Sequence, residues 1–388
     1  VTDCSIRRIG MDRNKCEEFL ARTMELNDLP GLAIGVSMGG DRWMGTAGTR
    51  DKVTGDPLET GDVFHCASVS KLFTSTAVLK LIDAGVLNYE DRLTDILPDL
   101  KLTDERAEDI RIWQMLSHTS GIGDVDDYRW EEALTADTAL ADYVYSQEVR
   151  DLPMLHEAGG GRFDYSNIAY EILGHIVSIK SAEYTKTTEG REEHLPYEDF
   201  VKRYLMEPAG MKNSTMKTYE RIGVEAGEDC PLITEAIRAQ NATAGTDPSA
   251  TPMALPHEKR EDRTIVPVKY YPYTRAHGSS STLTSDLEDL LAWGESHLAG
   301  RHLSDDACTH AGYEYATVPN NGEKMGLGWF MREQRGHLLR GHEGTDDGFR
   351  ASFWICPELE MVTLVLANIT RAPVKKINIR LFDLLTDR

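Results

Sequence analysis

Ser68 and Lys71 stand three residues apart within residues 64–82, F-H-C-A-S-V-S-K-L-F-T-S-T-A-V-L-K-L-I, where Val69, Leu72, Phe73, Leu79 and Ile82 recur at helical intervals. On a helix this spacing turns both side chains to one face, so a hydroxyl and an amine become neighbours. A serine hydroxyl is a weak nucleophile until a base takes its proton, and a lysine can be that base only when neutral. A free lysine titrates near about 10.4, and burial lowers that value by disfavouring the charged form. The first turn of a helix adds backbone N–H groups free to face an oxyanion. The chemistry open to the pair is acyl transfer through serine. S-x-x-K is nevertheless a short pattern, and a capped helix with a surface lysine satisfies it equally well.

Two later stretches offer partners. Gly159-Gly160-Gly161 breaks the chain before Phe163-Asp164-Tyr165-Ser166-Asn167, and helical spacing resumes over residues 168–179, so Tyr165, Ser166 and Asn167 sit on a loop entering a helix. His342-Glu343-Gly344 falls in a turn between two late strands. A competing motif is Gly35-Val36-Ser37-Met38-Gly39, which matches G-x-S-x-G. That nucleophile elbow needs a strand before the serine and a helix straight after it. Here a turn at Gly39-Gly40-Asp41 and a second strand follow, which makes Ser37 an ordinary strand residue.

Residues 13–26 form an amphipathic helix, and residues 32–38 and 42–49 a hairpin. Residues 127–149 are acidic and helical, residues 181–194 a polar exposed insertion, and residues 196–206 a short helix stopped by Pro208 and Gly210. Residues 225–263, poor in large apolar side chains, read as a long loop, a lid or rim. Ser285-x-x-Glu288 is a capping box opening a helix that runs to Leu298. Strands at 325–333, 337–341, 349–356 and 361–368, then a helix after Pro373, complete the chain. The expected fold is α+β. Residues 1–90 and 276–388 form a sheet domain from both chain ends, an antiparallel sheet flanked by N- and C-terminal helices, and residues 91–275 form an inserted, mainly helical domain.

Composition limits the partners. With 42 Lys and Arg against 64 Asp and Glu, the formal net charge is −22, which argues against a nucleic acid or an anionic membrane. The 388 residues, 40% hydrophobic, suffice for a sizeable core. Six cysteines, Cys4, Cys16, Cys66, Cys230, Cys308 and Cys356, show neither C-x-x-C pairs nor metal-ligand spacing, so no metal and no cofactor are expected. There is no run of about 18 apolar residues, and the first residues carry no signal-peptide pattern. The chain begins with Val rather than Met, which leaves two expectations for its compartment, cytoplasmic or, after removal of a leader, exported.

The order Ser68-x-x-Lys71, Tyr165-Ser166-Asn167, His342-Glu343-Gly344 resembles the penicillin-recognising serine hydrolases, in particular the class C β-lactamase-like branch with its D-alanyl-D-alanine carboxypeptidases, D-aminopeptidases and esterases. Leu116-Ser117-His118-Thr119-Ser120-Gly121, Gly326-Leu327-Gly328-Trp329 and Gly348-Phe349-Arg350 support it. The resemblance runs from about Gly31 to Asn368, the 225–263 region excepted, and implies a β-lactamase/transpeptidase-like fold. It also implies roles: Ser68 as the nucleophile that forms an acyl-enzyme, Lys71 as base or proton relay, Tyr165 as the relay to the leaving group, and Asn167 as a hydrogen-bond partner of the substrate carbonyl or of Lys71. The oxyanion hole would be the backbone N–H groups of Ser68 and Thr345. His118 and Ser120 are read as structural members of a helix end.

The third motif departs from the family pattern, in which Lys-Thr-Gly, or His with Thr or Ser before Gly, receives a substrate carboxylate. This chain offers His342, mostly neutral at neutral pH if unperturbed, and the anionic Glu343, with Asp346 and Asp347 on the same turn. If Glu343 points inward, a carboxylate-bearing substrate is repelled. The resemblance therefore implies a serine hydrolase, an esterase or amidase/peptidase acting on a neutral or amine-bearing small molecule or peptide. A β-lactamase or D-alanyl-D-alanine carboxypeptidase is the alternative within the class. A non-catalytic sensor or scaffold, or an acyltransferase, lies outside it. Oligomeric state is left open by the sequence.

Overall fold

Eight strands, each antiparallel to its neighbours, form one sheet in the computed structural model, which describes residues 11–228, 234–244 and 251–387. They are β1 (Gly31–Met38), β2 (Asp41–Gly48), β3 (Ala316–Thr317), β4 (Lys324–Met325), β5 (Phe330–Gln334), β6 (His337–Asp346), β7 (Phe349–Cys356) and β8 (Met361–Ala367). Their spatial order is β2-β1-β8-β7-β6-β5-β4-β3, so the first hairpin pairs with the last strand, Leu32 opposite Ala367 and Met38 opposite Met361. The long helices are α1 (Arg13–Leu26), α2 (Ser70–Asp83), α3 (Asn167–Glu189), α4 (Leu287–Leu298) and α5 (Val374–Thr386).

The central strands are covered on both faces, which is why β1 is buried at every position. Leu32, Ile34 and Val36 join Leu381 and Phe382 of α5 in one core, while Ala33 belongs to the larger core that contains α2 and α4. Successive strand residues point to opposite faces, so Ser37 turns to the α4 side and donates to Glu295 Oε1 at 2.6 Å. Its context is the hairpin read from sequence, not an elbow.

Helix α2 is buried nearly all round: Ser70 through Leu79 and Leu81 are inaccessible, and Phe73 stacks on Trp293 of α4 with centroids 4.0 Å apart. Its buried polar groups, Ser70, Lys71, Thr74, Ser75 and Thr76, all find hydrogen-bond partners there. Two phrases of the resemblance meet on it. Ser75 Oγ donates to the Leu327 carbonyl at 2.6 Å, and the Gly328 N–H to the Leu116 carbonyl at 3.0 Å. Gly328 has φ +85°, and a Cβ there would lie 2.3 Å from Ser75 Cβ, so only glycine lets this turn rest on α2.

Several expectations are corrected. Within residues 127–149, only Ala139–Val144 and the first residues of Gln147–Arg150 are helical. The polar stretch 181–194 is no exposed insertion at its start: α3 runs on to Glu189, with Ser181, Tyr184 and Thr185 buried, because those turns still pack on the core. Of the 225–263 loop, Thr234–Ala244 is a helix, held by the fully buried Ile237, and His257–Lys259 pairs with Ile265–Pro267. The rest of that loop at 229–233 and 245–250 lies outside the described residues, as do Cys4 and Cys230. The capping box is replaced by Asp286, whose side chain accepts from the Asp289 N–H at 2.9 Å, while the Ser285 hydroxyl meets Ser214. The 337–341 strand is five residues longer than expected, so His342-Glu343-Gly344 lies inside β6 and not in a turn.

Candidate active site

Ser68 sits in a single 3-10 turn, Ala67–Val69, that feeds α2. Ala67 has φ +48°, a left-handed conformation unusual for a residue with a Cβ. Neighbouring hydrogen bonds hold it there: Ser70 Oγ donates to the Ala67 carbonyl at 2.7 Å and accepts from the Leu283 N–H at 2.9 Å, and the Cys66 N–H donates to the Leu283 carbonyl. Local strain maintained by its surroundings is common at functional turns. Ser68 stays partly exposed while its neighbours are buried.

Lys71 is fully buried, which overturns the surface-lysine alternative. Its Nζ lies 3.1 Å from Ser68 Oγ, 2.6 Å from Asn167 Oδ1 and 2.9 Å from the Ser280 carbonyl. Burial lowers its pKa to about 8, against the opposing pull of Glu171, Asp346 and Asp124. The three partners are not equivalent. Asn167 Oδ1 and the Ser280 carbonyl can only accept, so a neutral amine spends both N–H bonds on them and its lone pair faces Ser68. The orientation of the Asn167 amide follows from its other contacts, Nδ2 donating to Asp124 Oδ2 at 3.0 Å and to Tyr128 Oη at 2.6 Å. Of the two partners expected for Asn167, the geometry supplies Lys71.

Tyr165 stands in the same cavity wall as Ser68, and burial pushes its phenol well above the ordinary range, with the Ser68 hydroxyl opposing that shift. Its ring stacks on His118, with centroids 4.3 Å apart, and lies under Lys71 Nζ at 5.0 Å. His118 holds the loop as well as the ring: Nδ1 accepts the Ser166 N–H at 3.1 Å, and its carbonyl accepts the Asp164 N–H at 3.0 Å. Ser166 then caps α3 by accepting from the Ala169 N–H at 3.1 Å. A histidine kept neutral by burial suits that acceptor role.

The third motif comes to the site along a strand edge. Strand β5 pairs with β6 only as far as Gly341, so residues 342–346 have β7 on one side and a free edge on the other. The Gly344 side of the strand abuts the Ser68 turn: a Cβ on Gly344 would lie 2.2 Å from the Cys66 carbonyl. Gly344→Ala must move the strand away from Ser68, and since misplacement by about 1 Å can cost about 100-fold, a fall of that order in kcat/KM is expected. Steady-state kinetics with an ester substrate checks it; a variant within threefold of wild type would contradict it.

Strand alternation places His342, Gly344 and Asp346 on the Ser68 side and Glu343 and Thr345 on the other. His342 is buried, its Nδ1 is 2.6 Å from the Glu343 carbonyl, and its Nε2 has no partner among the described residues. Burial lowers its pKa to about 3, so at neutral pH it is an uncharged ring with Nδ1–H donating and Nε2 presenting a lone pair. Glu343 shares its face with Ser352 and Trp354 and accepts from Ser352 Oγ at 3.1 Å and Trp354 Nε1 at 2.8 Å. Burial raises its pKa to about 7. The side chain is thus turned from the Ser68 side to the α5-covered face, and the argument that Glu343 itself repels a carboxylate beside Ser68 does not hold.

A cavity of about 400 Å³ joins these groups, with Ser68, Tyr165, Asn167, His342 and Thr345 in its wall. The same wall carries Tyr128, Trp130, Ser281 and Asp346, the apolar Phe163, Val318 and Phe330, and the charged Glu323, Glu343 and Lys375. All eight residues singled out in the sequence thus gather at one place, Lys71 and Gly344 from just behind the wall. The sequence reading missed Asp124 and Tyr128 on Asn167, the Ser280 carbonyl on Lys71, and Glu171, which accepts from Ser279, Ser280 and His277 behind it. Nothing local marked them, since each acts through contacts about forty residues or more away. Among the described residues no group of side chains could hold a metal ion, and no helix is long and apolar enough to cross a membrane.

An antiparallel sheet between helical layers, with a buried lysine aimed at a serine at the head of a central helix, defines the β-lactamase/transpeptidase-like class of folds. The chain matches the Beta-lactamase family over residues 17–386 and belongs to it. Penicillin-binding protein 4 of Amycolatopsis lactamdurans is 26% identical over 91% of this chain and 84% of that protein. Penicillin-binding protein 4* of Bacillus subtilis is also 26% identical, over 76% of this chain but only 58% of its own length. Among solved structures, the octameric penicillin-binding protein homologue from Pyrococcus abyssi superposes with a TM-score of 0.74 at 22% identity, covering 97% of this chain and 77% of that one. The D-amino acid amidase from Ochrobactrum anthropi SV3 gives 0.73 at 17% identity, over 96% and 98%.

Proposed function

We propose that this chain is a serine hydrolase working through a Ser68 acyl-enzyme, an esterase or amidase/peptidase for neutral or amine-bearing substrates. The observation that carries the proposal is the Lys71 amine, 3.1 Å from Ser68 Oγ with its other two directions taken by acceptors. In this mechanism Ser68 Oγ attacks the acyl carbon and its proton passes to Lys71. The oxyanion is received by the N–H groups of Ser68 and Thr345. Tyr165 relays the proton to the leaving oxygen or nitrogen as the acyl–heteroatom bond breaks. Water then attacks the ester along the reverse proton path and frees Ser68.

The substrate class follows from the third motif. A neutral His342 supplies no cation for a carboxylate, and Asp346 stands on its face of the strand. Lys375 lines the cavity, but its Nζ is 2.6 Å from Glu323 Oε1. That lysine is what favours the second reading, a β-lactamase or D-alanyl-D-alanine carboxypeptidase, since release from Glu323 would offer a carboxylate partner. Mass spectrometry after incubation with penicillins decides it: a Ser68 adduct supports the second reading, and absence of any adduct removes it.

Hydrolysis of p-nitrophenyl acetate and fluorophosphonate labelling test the first reading against a non-catalytic scaffold. A pH series adds a sharper check. Lys71 is a base only when unprotonated, and its pKa is about 8, so kcat/KM should rise about tenfold per pH unit below that value and level off above it. A profile flat from pH 6 to 9 would remove Lys71 as the base.

A further inference from the structure

We infer that Glu171 and His277, a buried pair behind the site, are positioning residues for the base: by separate arms they hold both acceptors that turn the Lys71 lone pair toward Ser68. The inference rests on the hydrolase reading above and adds to it two residues that do not line the cavity.

Glu171 stands four residues after Asn167 on α3, so the two side chains share one face of the helix. Its side chain is fully buried, and three groups from residues 277–281 meet it: Ser280 Oγ and His277 Nδ1, the latter at 3.1 Å, on Oε1, and Ser279 Oγ, at 3.0 Å, on Oε2. All three come from one short turn, and the carbonyl of Ser280 in that turn is the acceptor 2.9 Å from Lys71 Nζ. The turn rests directly on α3, where a Cβ on Gly174 would lie 2.2 Å from Ser279 Cβ. The first arm therefore runs from Glu171 through Ser280 to Lys71.

The second arm leaves from the other ring nitrogen. His277 Nε2 lies 3.2 Å from the Tyr128 carbonyl. Carboxylate and carbonyl oxygens only accept, so Nε2–H donates to Tyr128 and a proton lies on the line between Nδ1 and Oε1. The rings of Tyr128, Trp130 and Tyr143 stand edge-on around the imidazole, with centroids 5.1, 5.4 and 4.7 Å away. A ring held in this way fixes Tyr128, whose Oη accepts from Asn167 Nδ2 at 2.6 Å and so sets Asn167 Oδ1 on Lys71, also at 2.6 Å.

Charge reaches the lysine as well. Three carboxylates, Glu171 foremost and then Asp346 and Asp124, favour protonated Lys71 against the effect of burial. Among the described residues, His277 is the basic side chain in ion-pair contact with Glu171, and Arg129 and Glu132 line a small cleft together with His277. A buried ion pair is a weak stabiliser, because apolar residues of the same volume carry no desolvation cost. Control of both Lys71 acceptors gives this pair a use that packing does not.

The test is Glu171→Gln, which keeps the shape of the side chain and removes its charge. With p-nitrophenyl acetate, kcat should fall about 10- to 100-fold at nearly constant KM, the scale of loss when a reacting group is misplaced. The rising limb of kcat/KM should move to lower pH by about half a unit or more, because the strongest charge opposing burial at Lys71 is gone. Lost packing alone would lower stability and leave the limb in place. Urea midpoints report the same shift without turnover. Lys71 makes stability rise with pH above its folded pKa, so that rise, taken as the difference from the same protein carrying Lys71→Met, should begin at lower pH in Glu171→Gln than in wild type. If it does while wild type shows no Ser68-dependent turnover, the hydrolase reading fails and the hold of Glu171 on Lys71 stands. If the rise stays in place, or kcat of a working enzyme stays within about threefold of wild type, the inference fails and the hydrolase reading is untouched. Where Glu171→Gln does not fold, Ser280→Ala takes its place: it removes a hydroxyl from Glu171, keeps the carbonyl on Lys71, and should show both effects at smaller size. Absence of both overturns the inference.

Discussion

Ser68→Ala should abolish acyl transfer while leaving the fold intact. Removal of a catalytic serine from a comparable constellation costs about 10⁴-fold or more in kcat, and here no second hydroxyl shares the Lys71 amine: its remaining partners are an amide oxygen and a carbonyl. Fluorophosphonate labelling should be lost with turnover, as an absent mass increment on the intact protein. Stability should move by no more than about 1 kcal/mol, because Ser68 is partly exposed and Lys71 keeps its two other acceptors when the hydroxyl is lost. Thermal unfolding monitored beside the kinetics distinguishes lost chemistry from lost structure. Turnover within tenfold of wild type would remove Ser68 from the mechanism and with it the acyl-enzyme.

Lys71→Met should lower kcat by about 10³-fold, within the range general bases contribute, and should also alter how stability depends on pH. In the folded protein burial lowers the lysine to about 8, against an ordinary value of 10.5. Between those values the unfolded chain binds more protons than the folded one, so folding stability rises with pH across that window. The protonated lysine therefore costs the fold about 3 kcal/mol at neutral pH, a penalty present below pH 8 and relieved as the pH approaches 10.5. Urea midpoints at several pH values should show that rise in wild type and not in Lys71→Met. The absolute stability of the variant is the less useful readout, since methionine leaves Asn167 Oδ1 and the Ser280 carbonyl without their donor, at about 1–3 kcal/mol each. Equal pH slopes in the two proteins would mean that Lys71 is not desolvated as the structure has it.

The two predictions concern residues that were legible in the chain, and the reason is locality. Ser68 and Lys71 are three apart on a helix, and helical geometry alone makes them neighbours. The first hairpin was legible for a similar reason, a two-residue period interrupted by glycines. Polar helical turns were not: residues 181–189 continue α3 because Tyr184 and Thr185 are buried, and burial is decided by what packs against a helix, not by its own hydropathy. Thr234–Ala244 escaped notice likewise, with one fully buried isoleucine to anchor eleven residues.

The third motif shows where sequence reading stops. Gly344, Asp346, Asp347 and Gly348 have turn composition, which predicts a strand ending at Gly341, yet β6 continues through Asp346 by pairing with β7 after β5 has left it. Once the strand is extended, parity alone assigns the faces. Glu343 goes to the α5 side with Ser352 and Trp354, and Asp346 to the Ser68 side with His65 and Ser281.

By itself the sequence determined the fold class, the serine–amine pair and the order of three motifs, because those depend on spacing along a few turns. Tertiary structure alone decided that Lys71 is buried and aimed, since its other partners are 96 and 209 residues away. It also decided which acidic side chain stands beside the serine, because that depends on strand register and on where a neighbouring strand ends.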